Sequence, residues 1–220
     1  MGTIVHLTSV HPPFDTRIFH KECKTLSQAG YDVVLIVPHD RDMMIDDVRI
    51  RVVPKPRSRW ARMTATASRV CKAAWGEDAD IYHVHDPEML PYAQLLRMRG
   101  KPVIYDMHEN LPLQILTKPW IPQLLRIPLA SVCSAAERIL IGGLPVVFAE
   151  HSYGRTRGWI ASSVVVLNMP VVDSLPKLGA SKYPVHTIGY IGGVTPDRGS
   201  LTTVEALHIL RQRGRKIDYE

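Results

Sequence analysis

Residues 79–110 read ADIYHVHDPEMLPYAQLLRMRGKPVIYDMHEN. Two short β-rich runs, 80–84 and 102–105, enclose a segment in which apolar side chains recur at helical spacing. These apolar positions are Met89, Tyr92, Leu95, Leu96 and Met98. Strand, helix and strand in this order predict a βαβ unit, in which a right-handed crossover joins two parallel strands.

Imidazole and carboxylate side chains follow both strands of this unit. Parallel strands end at the same edge of a sheet, and in open α/β sheets ligands bind in the crevice outside that edge. We therefore expect the functional site there, with His108 as a base or a hydrogen-bond donor unless its role is structural. Neither HxxxH nor CxxC spacing supports a metal centre among these residues, so none is expected. The candidate residues are His85, Asp86, Glu88, Asp106, His108 and Glu109.

The alternation of strands and helices continues on both sides of this unit. The near-continuous apolar run 31–38 is typical of a strand in a parallel sheet that is covered on both faces. Further strands are predicted at 3–8, 48–53, 144–149 and 163–167, helices at 18–29, 58–75 and 129–140, and a polar loop at 39–47. Residues 1–170 are therefore predicted to form one α/β domain, a Rossmann-like doubly wound parallel sheet.

A second, shorter α/β segment follows this domain. Residues 171–184 lack a periodic pattern and are predicted to be a linker. Residues 185–220 predict a strand, a helix and a second strand, which are too few elements to bury both faces of a sheet. We expect an incomplete second α/β domain.

A glycine-rich loop opens the helix of that second segment. Backbone amides at a helix start, together with Gly192, Gly193 and Arg198, would suit the phosphates of a nucleotide. The loop matches neither GxGxxG nor GxxxxGK[ST], so a plain tight turn between strand and helix is the alternative.

The composition is that of an ordinary globular protein, 45% apolar and 22% charged over 220 residues. Three widely spaced cysteines without a CxxC pair favour a reduced, cytoplasmic compartment. No uncharged apolar run reaches the roughly 18 residues that a membrane span needs.

The excess positive charge is concentrated between Val48 and Gly76. This stretch holds eight basic residues and no acidic one, which leaves 19 basic against 21 acidic residues elsewhere. A helix here, with Arg57, Arg59 and Arg62 near its start, could dock on an anionic membrane surface or attract a phosphorylated substrate. The alternative is a helix packed on the sheet with a solvated basic face. The stretch lacks an aromatic-interleaved basic motif, so no nucleic-acid partner is expected.

Residues 111–128, LPLQILTKPWIPQLLRIP, are more apolar than an ordinary loop. Such a segment could line a pocket, pack on a partner or touch lipid. Burial under a neighbouring helix is the interpretation that we favour.

Five segments occur in a characteristic order and spacing. They are HPPFDTRIFHKECKTLSQAG at 11–30, YHVHDPEMLP at 82–91, VIYDMHEN at 103–110, NMP at 168–170 and YIGGVTPDRGS at 190–200. Together they resemble family 4 glycosyltransferases of the GT-B fold, and more narrowly the bacterial subgroup that builds cell-surface polysaccharides. The resemblance implies an acceptor-side N-terminal domain, a nucleotide-sugar-binding C-terminal domain, transfer with retention of configuration, and no metal or other cofactor.

By position, the resemblance places residues of the first domain in a cleft. The loop with His11, Asp15 and Arg17 corresponds to the family's glycine-containing first loop, which faces donor phosphate and acceptor, although its glycines are replaced here. His108 falls on the family histidine near the transferred sugar, which makes it the implied catalytic residue.

In the second domain, Arg198 falls where many members have the lysine of a Lys-Gly pair that contacts the diphosphate. Gly193 falls where they have an arginine, so one of the two usual cations is absent. The family's pair of donor-binding glutamates would lie beyond residue 220. We therefore expect negligible transferase activity from the 220-residue chain alone.

The resemblance thus implies a glycosyltransferase whose partners are a nucleotide sugar and a glycan or lipid-linked acceptor, in the cytoplasm or at the inner face of the membrane. Two alternatives stay open. One is a nucleotide-sugar epimerase on the same fold. The other is a non-catalytic half-module that binds acceptor, a membrane surface or a complementing partner chain.

Overall fold

The computed structural model describes residues 2–172, 187–192, 194, 198–215 and 217–219. The chain divides into two compact units, Met1–Met169 and Pro170–Glu220. Among the described residues, no helix is both long enough and apolar enough to cross a membrane.

The first unit is built on one eight-stranded sheet. Its strands are β1 Thr3–Leu7, β2 Asp32–Pro38, β3 Met43–Ile45, β4 Val48–Val53, β5 Ile81–Val84, β6 Val103–Met107, β7 Val146–Phe148 and β8 Ser163–Val165. Their order is β3-β4-β2-β1-β5-β6-β7-β8, and all neighbours are parallel except β3 and β4. The winding reverses between β1 and β5, and doubly wound sheets bind ligands at such a switch point.

Helices connect most of these strands. They are α1, a π-helical turn Ile18–Cys23 continued by Lys24–Gln28; α2, formed by Arg59–Ala61, Arg62–Thr66 and Ala67–Trp75; α3, formed by Pro87–Met89 and Leu90–Met98; α4 Leu111–Thr117; α5 Gln123–Ile141; and α6 His151–Thr156.

Alternate residues of β2 face two different apolar cores. Val33 packs in one core with Ile18 and Phe19 of α1, whereas Val34 packs in the other with Val70 of α2. A strand whose successive side chains are buried on opposite faces has helices on both sides of its sheet. The predicted Rossmann-like doubly wound α/β domain is therefore confirmed.

The βαβ unit of residues 79–110 forms as predicted, with β5 and β6 parallel and adjacent. The predicted buried face of its helix is partly wrong. Leu95 and Met98 are exposed, whereas Met89 and Leu96 are buried as predicted, together with Leu90 and Ala93. The helix α3 begins with a 3₁₀ turn, Pro87–Met89, which winds the chain more tightly than the α-helix that follows.

The predicted polar loop at 39–47 contains strand β3, which pairs antiparallel with β4. Asp46 and Asp47 link the two strands with φ of 51° and 58°. Two successive residues with positive φ form the tight hairpin turn that matches the twist of antiparallel strands. Aspartate tolerates this conformation, but Asp-Asp is a weaker signal for it than Asn-Gly.

The prediction that residues 111–128 are buried is wrong. They form α4 and the first turns of α5, and most of their large apolar side chains are exposed. Pro128 lies inside α5, which begins six residues before the predicted start of a helix at 129. The exposed apolar side chains of α4, α5 and their connection include Leu113, Trp120, Leu124, Leu125, Ile127, Leu129 and Val132.

The second unit contains β9 Thr187–Ile188, α7 Ser200–Gln212 and β10 Asp218–Tyr219. The two short strands are parallel, with Asp218 opposite Thr187. This is the predicted strand, helix and strand. The predicted linker 171–184 lies almost wholly outside the described residues.

Candidate functional site

The candidate residues of the first unit lie where β1, β5 and β6 end. The loop that follows β1 carries His11 and Arg17, β5 ends one residue before His85, and β6 ends one residue before His108. Because these strands are parallel neighbours, their carboxyl ends bring the three segments together at the switch point of the sheet. Contacts join seven of the predicted residues, His11, Asp15, Arg17, His85, Asp86, Asp106 and His108.

Asp106 is fully buried and is bound by Arg17. Nε and Nη2 of Arg17 donate to its two carboxylate oxygens at 2.8 and 2.6 Å. Nδ1 of His85 and Nδ1 of His108 lie 3.2 and 3.3 Å from its Oδ2. Burial alone would raise the pKa of Asp106, but the hydrogen bonds from Arg17, His108 and His85 hold it well below its ordinary range. Asp106 is therefore an ionised group that orients two imidazole rings.

His11 connects the loop after β1 to His108. Its Nε2 lies 2.9 Å from Nε2 of His108, and its Nδ1 lies 3.2 Å from Oδ2 of Asp15. Burial lowers the pKa of His11, but the hydrogen bond to Asp15 and the charge of Asp86 outweigh it, so the pKa is raised above its ordinary value. The raised pKa favours the protonated form of His11 near neutral pH.

Asp15 fixes this loop to the start of α1. Its Oδ1 accepts hydrogen bonds from the backbone amides of Arg17 and Ile18 at 2.8 and 2.9 Å. Burial would raise the pKa of Asp15, but the hydrogen bonds from His11 and Ile18 lower it well below the ordinary range. The loop therefore has a rigid charged anchor at its carboxyl end.

Asp86 fixes the other end of the loop. Its Oδ2 accepts from Oγ1 of Thr8 at 2.9 Å and from the backbone amide of Ser9 at 2.5 Å. Its Oδ1 lies 3.4 Å from Nε2 of His11. Asp86 and Asp106 thus hold the imidazole groups from two neighbouring strand ends.

Glu88 and Glu109 border the cluster. Oε1 of Glu88 accepts from Nε of Arg62 at 3.0 Å, and burial, followed by the charge of Asp86, raises the pKa of Glu88. Glu109 is half-buried, and its negative charge contributes to the raised pKa of His11.

The three arginines predicted for a membrane surface have different surroundings. Arg57 is exposed, whereas Arg62 is partly buried in its ion pair with Glu88. The side chain of Arg59 lies outside the described part of the chain.

Sequence reasoning missed three residues that lie beside the cluster, His6, Glu22 and His83. His6 is fully buried in β1, opposite His83 in the β1–β5 ladder, and Glu22 is on the π-helical turn of α1. The His-x-His spacing of His83 and His85 was the available signal, because it places both imidazoles on one side of a strand.

In the second unit, Arg198 is exposed and its Nη1 lies close to the backbone of Gly192. A Cβ built on Gly192 would lie 3.3 Å from Nη1 of Arg198 and 3.4 Å from the hydroxyl oxygen of Tyr190. Glycine therefore lets the guanidinium group approach the main chain. Gly193, which was predicted to bind donor phosphate with them, lies outside the described residues.

The chain matches a known protein family. A sequence profile described as "Glycosyl transferase 4-like domain" matches residues 16–189, which is most of the chain. A search of curated protein sequences gave no significant match.

Solved structures with the same fold include a sucrose-phosphate synthase and a UGT transferase. A sucrose-phosphate synthase from Thermosynechococcus elongatus is 12% identical, with a TM-score of 0.56 over 76% of this chain and 48% of that chain. A UGT transferase from Siraitia grosvenorii, solved in complex with UDP, is 12% identical, with a TM-score of 0.52 over 99% of this chain and 62% of that chain. At these identities the likeness establishes the fold alone, and it confirms the GT-B architecture. The chain spans about half the length of the sucrose-phosphate synthase.

Proposed function

The chain belongs to the glycosyl transferase 4-like family, and from this membership we propose that it is the acceptor-side part of a retaining glycosyltransferase. The reaction moves a sugar from a nucleotide-sugar donor to a hydroxyl group of a glycan or lipid-linked acceptor, without a metal ion at the reacting atoms. The observation that carries this proposal is His108. It stands at the carboxyl end of β6, next to the switch point of the sheet, with both ring nitrogens in contact with other site residues.

We assign His108 to the transferred sugar. Asp106 orients the ring through Nδ1, and the raised pKa of His11 favours a proton between the two Nε2 atoms. Glycosyl transfer passes through a state in which the sugar ring carries positive charge. The carboxylates of Asp106 and Asp86, which lie behind the imidazole groups, would stabilise that charge more than they stabilise the neutral ground state.

The phosphates of the donor need positively charged groups of the protein around them. Cleavage of the sugar–phosphate bond leaves a nucleoside diphosphate, and fixed positive charge near its oxygens lowers the barrier. Arg198, beside the open backbone of Gly192, is our candidate for this role, because a guanidinium group can bind two phosphate oxygens at once.

The first step of the test is to sequence the reading frame past the codon for Glu220. The result decides whether the 220-residue chain or a longer protein is assayed. A longer protein, offered UDP-, GDP-, dTDP- and ADP-sugars with extracted glycan and lipid acceptors, should release nucleoside diphosphate only with an acceptor. NMR of the product should show the anomeric configuration of the donor. His108→Gln should lower kcat about 10²-fold, while His20→Gln, an exposed histidine on α1, should leave it unchanged. An inverted product, or an epimerised free nucleotide sugar, would contradict the proposal.

The 220-residue chain assayed alone is proposed to have negligible turnover. A second candidate function is a non-catalytic half-module that binds acceptor or a complementing chain. Nucleoside diphosphate release by the 220-residue chain alone, at a rate comparable to complete glycosyltransferases, would overturn both statements. Release that begins only when a separate donor-binding chain is added would support the half-module.

For the cellular setting, we propose the synthesis of cell-surface polysaccharide at the cytoplasmic face of a membrane. The surface that supports a membrane contact is the α4–α5 hairpin, residues 111–141. Leu124 and Ile127 are 91% and 71% exposed. Its charged side chains are three basic residues and Glu137, which is buried and bound by Arg157 at 2.9 Å. An apolar surface whose accessible charges are all positive fits an anionic lipid bilayer.

The start of α2 has the same chemistry. Trp60 is 78% exposed, Met63 is about half exposed, and Arg57 lies exposed nearby. Because α2 and α4 follow parallel strands, both begin at the carboxyl edge of the sheet, which also holds the site. Contact with lipid along this edge would bring a lipid-linked acceptor next to His108.

A further inference from the structure

A group of three histidines and one glutamate lies between β1, β5 and α1, beside the proposed sugar site. Nδ1 of His6, Nδ1 of His83 and Nε2 of His85 lie 3.9, 4.0 and 3.8 Å from Oε2 of Glu22. Nδ1 of His6 and Nε2 of His85 are 2.9 Å apart. All four ligand atoms lie within 4.8 Å of one another. Four donor atoms from three elements thus surround one point.

The tautomer of His85 is fixed by its second partner. Nδ1 of His85 lies 3.2 Å from the ionised Asp106, so it carries the proton and donates. In a neutral ring this leaves the lone pair of Nε2 to accept the Nδ1 proton of His6 at 2.9 Å in the metal-free chain, and binding of a metal ion would displace that proton. A histidine that donates its other N–H to a carboxylate is the usual arrangement around a protein-bound metal ion.

Glu22 is the acidic member of the group, and its hydrogen bonding is incomplete among the described residues. Oε2 of Glu22 is buried and has no hydrogen-bond partner among the described residues, while its other oxygen lies 3.1 Å from Nε of Arg17. Burial, with the charge of Asp106, raises the pKa of Glu22. Burial lowers the pKa of His83 to about 3 and that of His6 well below its ordinary value, so the rings stay neutral. Neutral imidazole is the form that binds metal ions.

We propose that His6, Glu22, His83 and His85 bind one first-row transition metal ion, with Zn²⁺ as the best fit. Three imidazole nitrogens and one carboxylate oxygen are a common zinc ligand set, and bonds of about 2.0–2.1 Å place tetrahedral ligand atoms about 3.3 Å apart. The observed separations from Glu22 exceed this by a little over half an ångström, which side-chain rotation can close.

Four protein ligands leave no open position, so the ion would be structural. It would join β1, β5 and α1 and hold His85 against Asp106, and it would not touch the reacting sugar. The site therefore does not depend on the proposed transferase activity. Sequence reasoning predicted no metal, because the ligands come from three separate elements and only His83 and His85 are close in the sequence.

The test uses the 220-residue chain without a polyhistidine tag. The chain is stripped with EDTA, reloaded with Zn²⁺ and passed through a desalting column, and its metal content is measured by mass spectrometry. We expect about one zinc per chain, and a melting temperature about 5–10 °C higher when free Zn²⁺ exceeds Kd about a hundredfold. Co²⁺ in place of Zn²⁺ should give the intense visible absorption of a tetrahedral complex.

Glu22→Gln removes one ligand charge at nearly constant shape, and His83→Gln removes one imidazole. Each should weaken Co²⁺ binding at least about tenfold, whereas the exposed His20→Gln should bind like the wild type. The wild-type chain keeps the test decisive if a variant fails to fold. Stoichiometry below about 0.1 zinc per chain, an octahedral Co²⁺ spectrum, or equal loss in His20→Gln would overturn the proposal.

Discussion

Nε2 of His108 lies 2.9 Å from Nε2 of His11, although 97 residues separate them in the chain. Two ring nitrogens at this distance must share one proton, since neither two lone pairs nor two N–H groups can approach so closely. His11 can supply this proton, because its Nδ1 faces Asp15 and its raised pKa favours the protonated ring. The contact thus runs from Asp15 through a protonated His11 to His108, and it depends on pH.

Replacement of His11 should therefore cost stability mainly at low pH. A group whose folded pKa lies above 6.5 stabilises fully below pH 6.5, and this stabilisation is lost as pH rises through the folded pKa. Near pH 6 the free energy of unfolding of His11→Gln should be about 1 kcal/mol lower than that of the wild type. This gap in the free energy of unfolding should narrow toward pH 9. Urea denaturation measures the gap, with His20→Gln as the control. A gap that widens with pH would contradict the assignment of the proton to His11.

Removal of Arg17 should be among the most damaging single changes in the first unit. It would leave the carboxylate of Asp106 buried without its guanidinium partner, which typically costs about 3–5 kcal/mol. Arg17→Met should show this loss in urea denaturation, and Arg17→Met with Asp106→Asn should recover part of it. A loss below about 1 kcal/mol in Arg17→Met, or no recovery in the pair, would show that the ion pair does not anchor the site.

Lowering the pH should reduce the free energy of unfolding of the metal-free chain. The decrease should be steeper than protonation of exposed histidines alone would cause. Burial keeps His6, His83 and His85 neutral in the folded chain, so between about pH 6.5 and 5 only the unfolded chain protonates them. Glu22 opposes this, because its raised pKa keeps a proton on the folded chain that the unfolded chain lacks. Three histidine protons on the unfolded chain, less one Glu22 proton on the folded chain, leave a net difference of two protons. The free energy of unfolding should therefore fall by about 2.7 kcal/mol per pH unit.

The measurement is urea denaturation in EDTA at several pH values. His83→Gln removes one of the three buried imidazoles, so its slope should be lower by about 1.4 kcal/mol per pH unit. Equal slopes for wild type and variant would mean that His83 titrates normally in the folded chain.

The edge of the sheet that holds the site could be predicted from the sequence. His85 and Asp106 stand at the ends of two β-rich runs joined by a helix, and parallel strands must end together. Arg17 and His11 could be added only through the resemblance. Their loop reaches the site because β1 lies next to β5, and that strand order is not readable from local pattern.

The rest depended on long-range packing. His6 lies within an apolar run and looks like an ordinary strand position, and Glu22 looks like a polar helix position. They meet only because β1 pairs with β5 in one particular register and a π-helical turn shifts Glu22 inward. The exposure of Leu124 was not predicted, because an apolar segment is expected to be buried. Such a segment is exposed where its surface binds a partner or a membrane.

The α4–α5 hairpin gives the sharpest test of membrane contact. Leu124→Glu with Ile127→Glu adds two charges at side chains that pack on little else, so the free energy of unfolding should change by less than about 0.5 kcal/mol per site. Co-sedimentation with vesicles of phosphatidylglycerol and phosphatidylcholine should fall at least about tenfold, because the charges must enter the lipid interface.

The matched control is Met44→Glu with Met98→Glu, which makes the same charge change at side chains that are 64% and 80% exposed on β3 and at the end of α3. Arg57→Glu should weaken binding only at low salt, since it acts through charge. Undiminished pelleting of the hairpin variant, or equal loss in the control, would remove the membrane contact from the proposal and leave the hairpin as a surface for another partner.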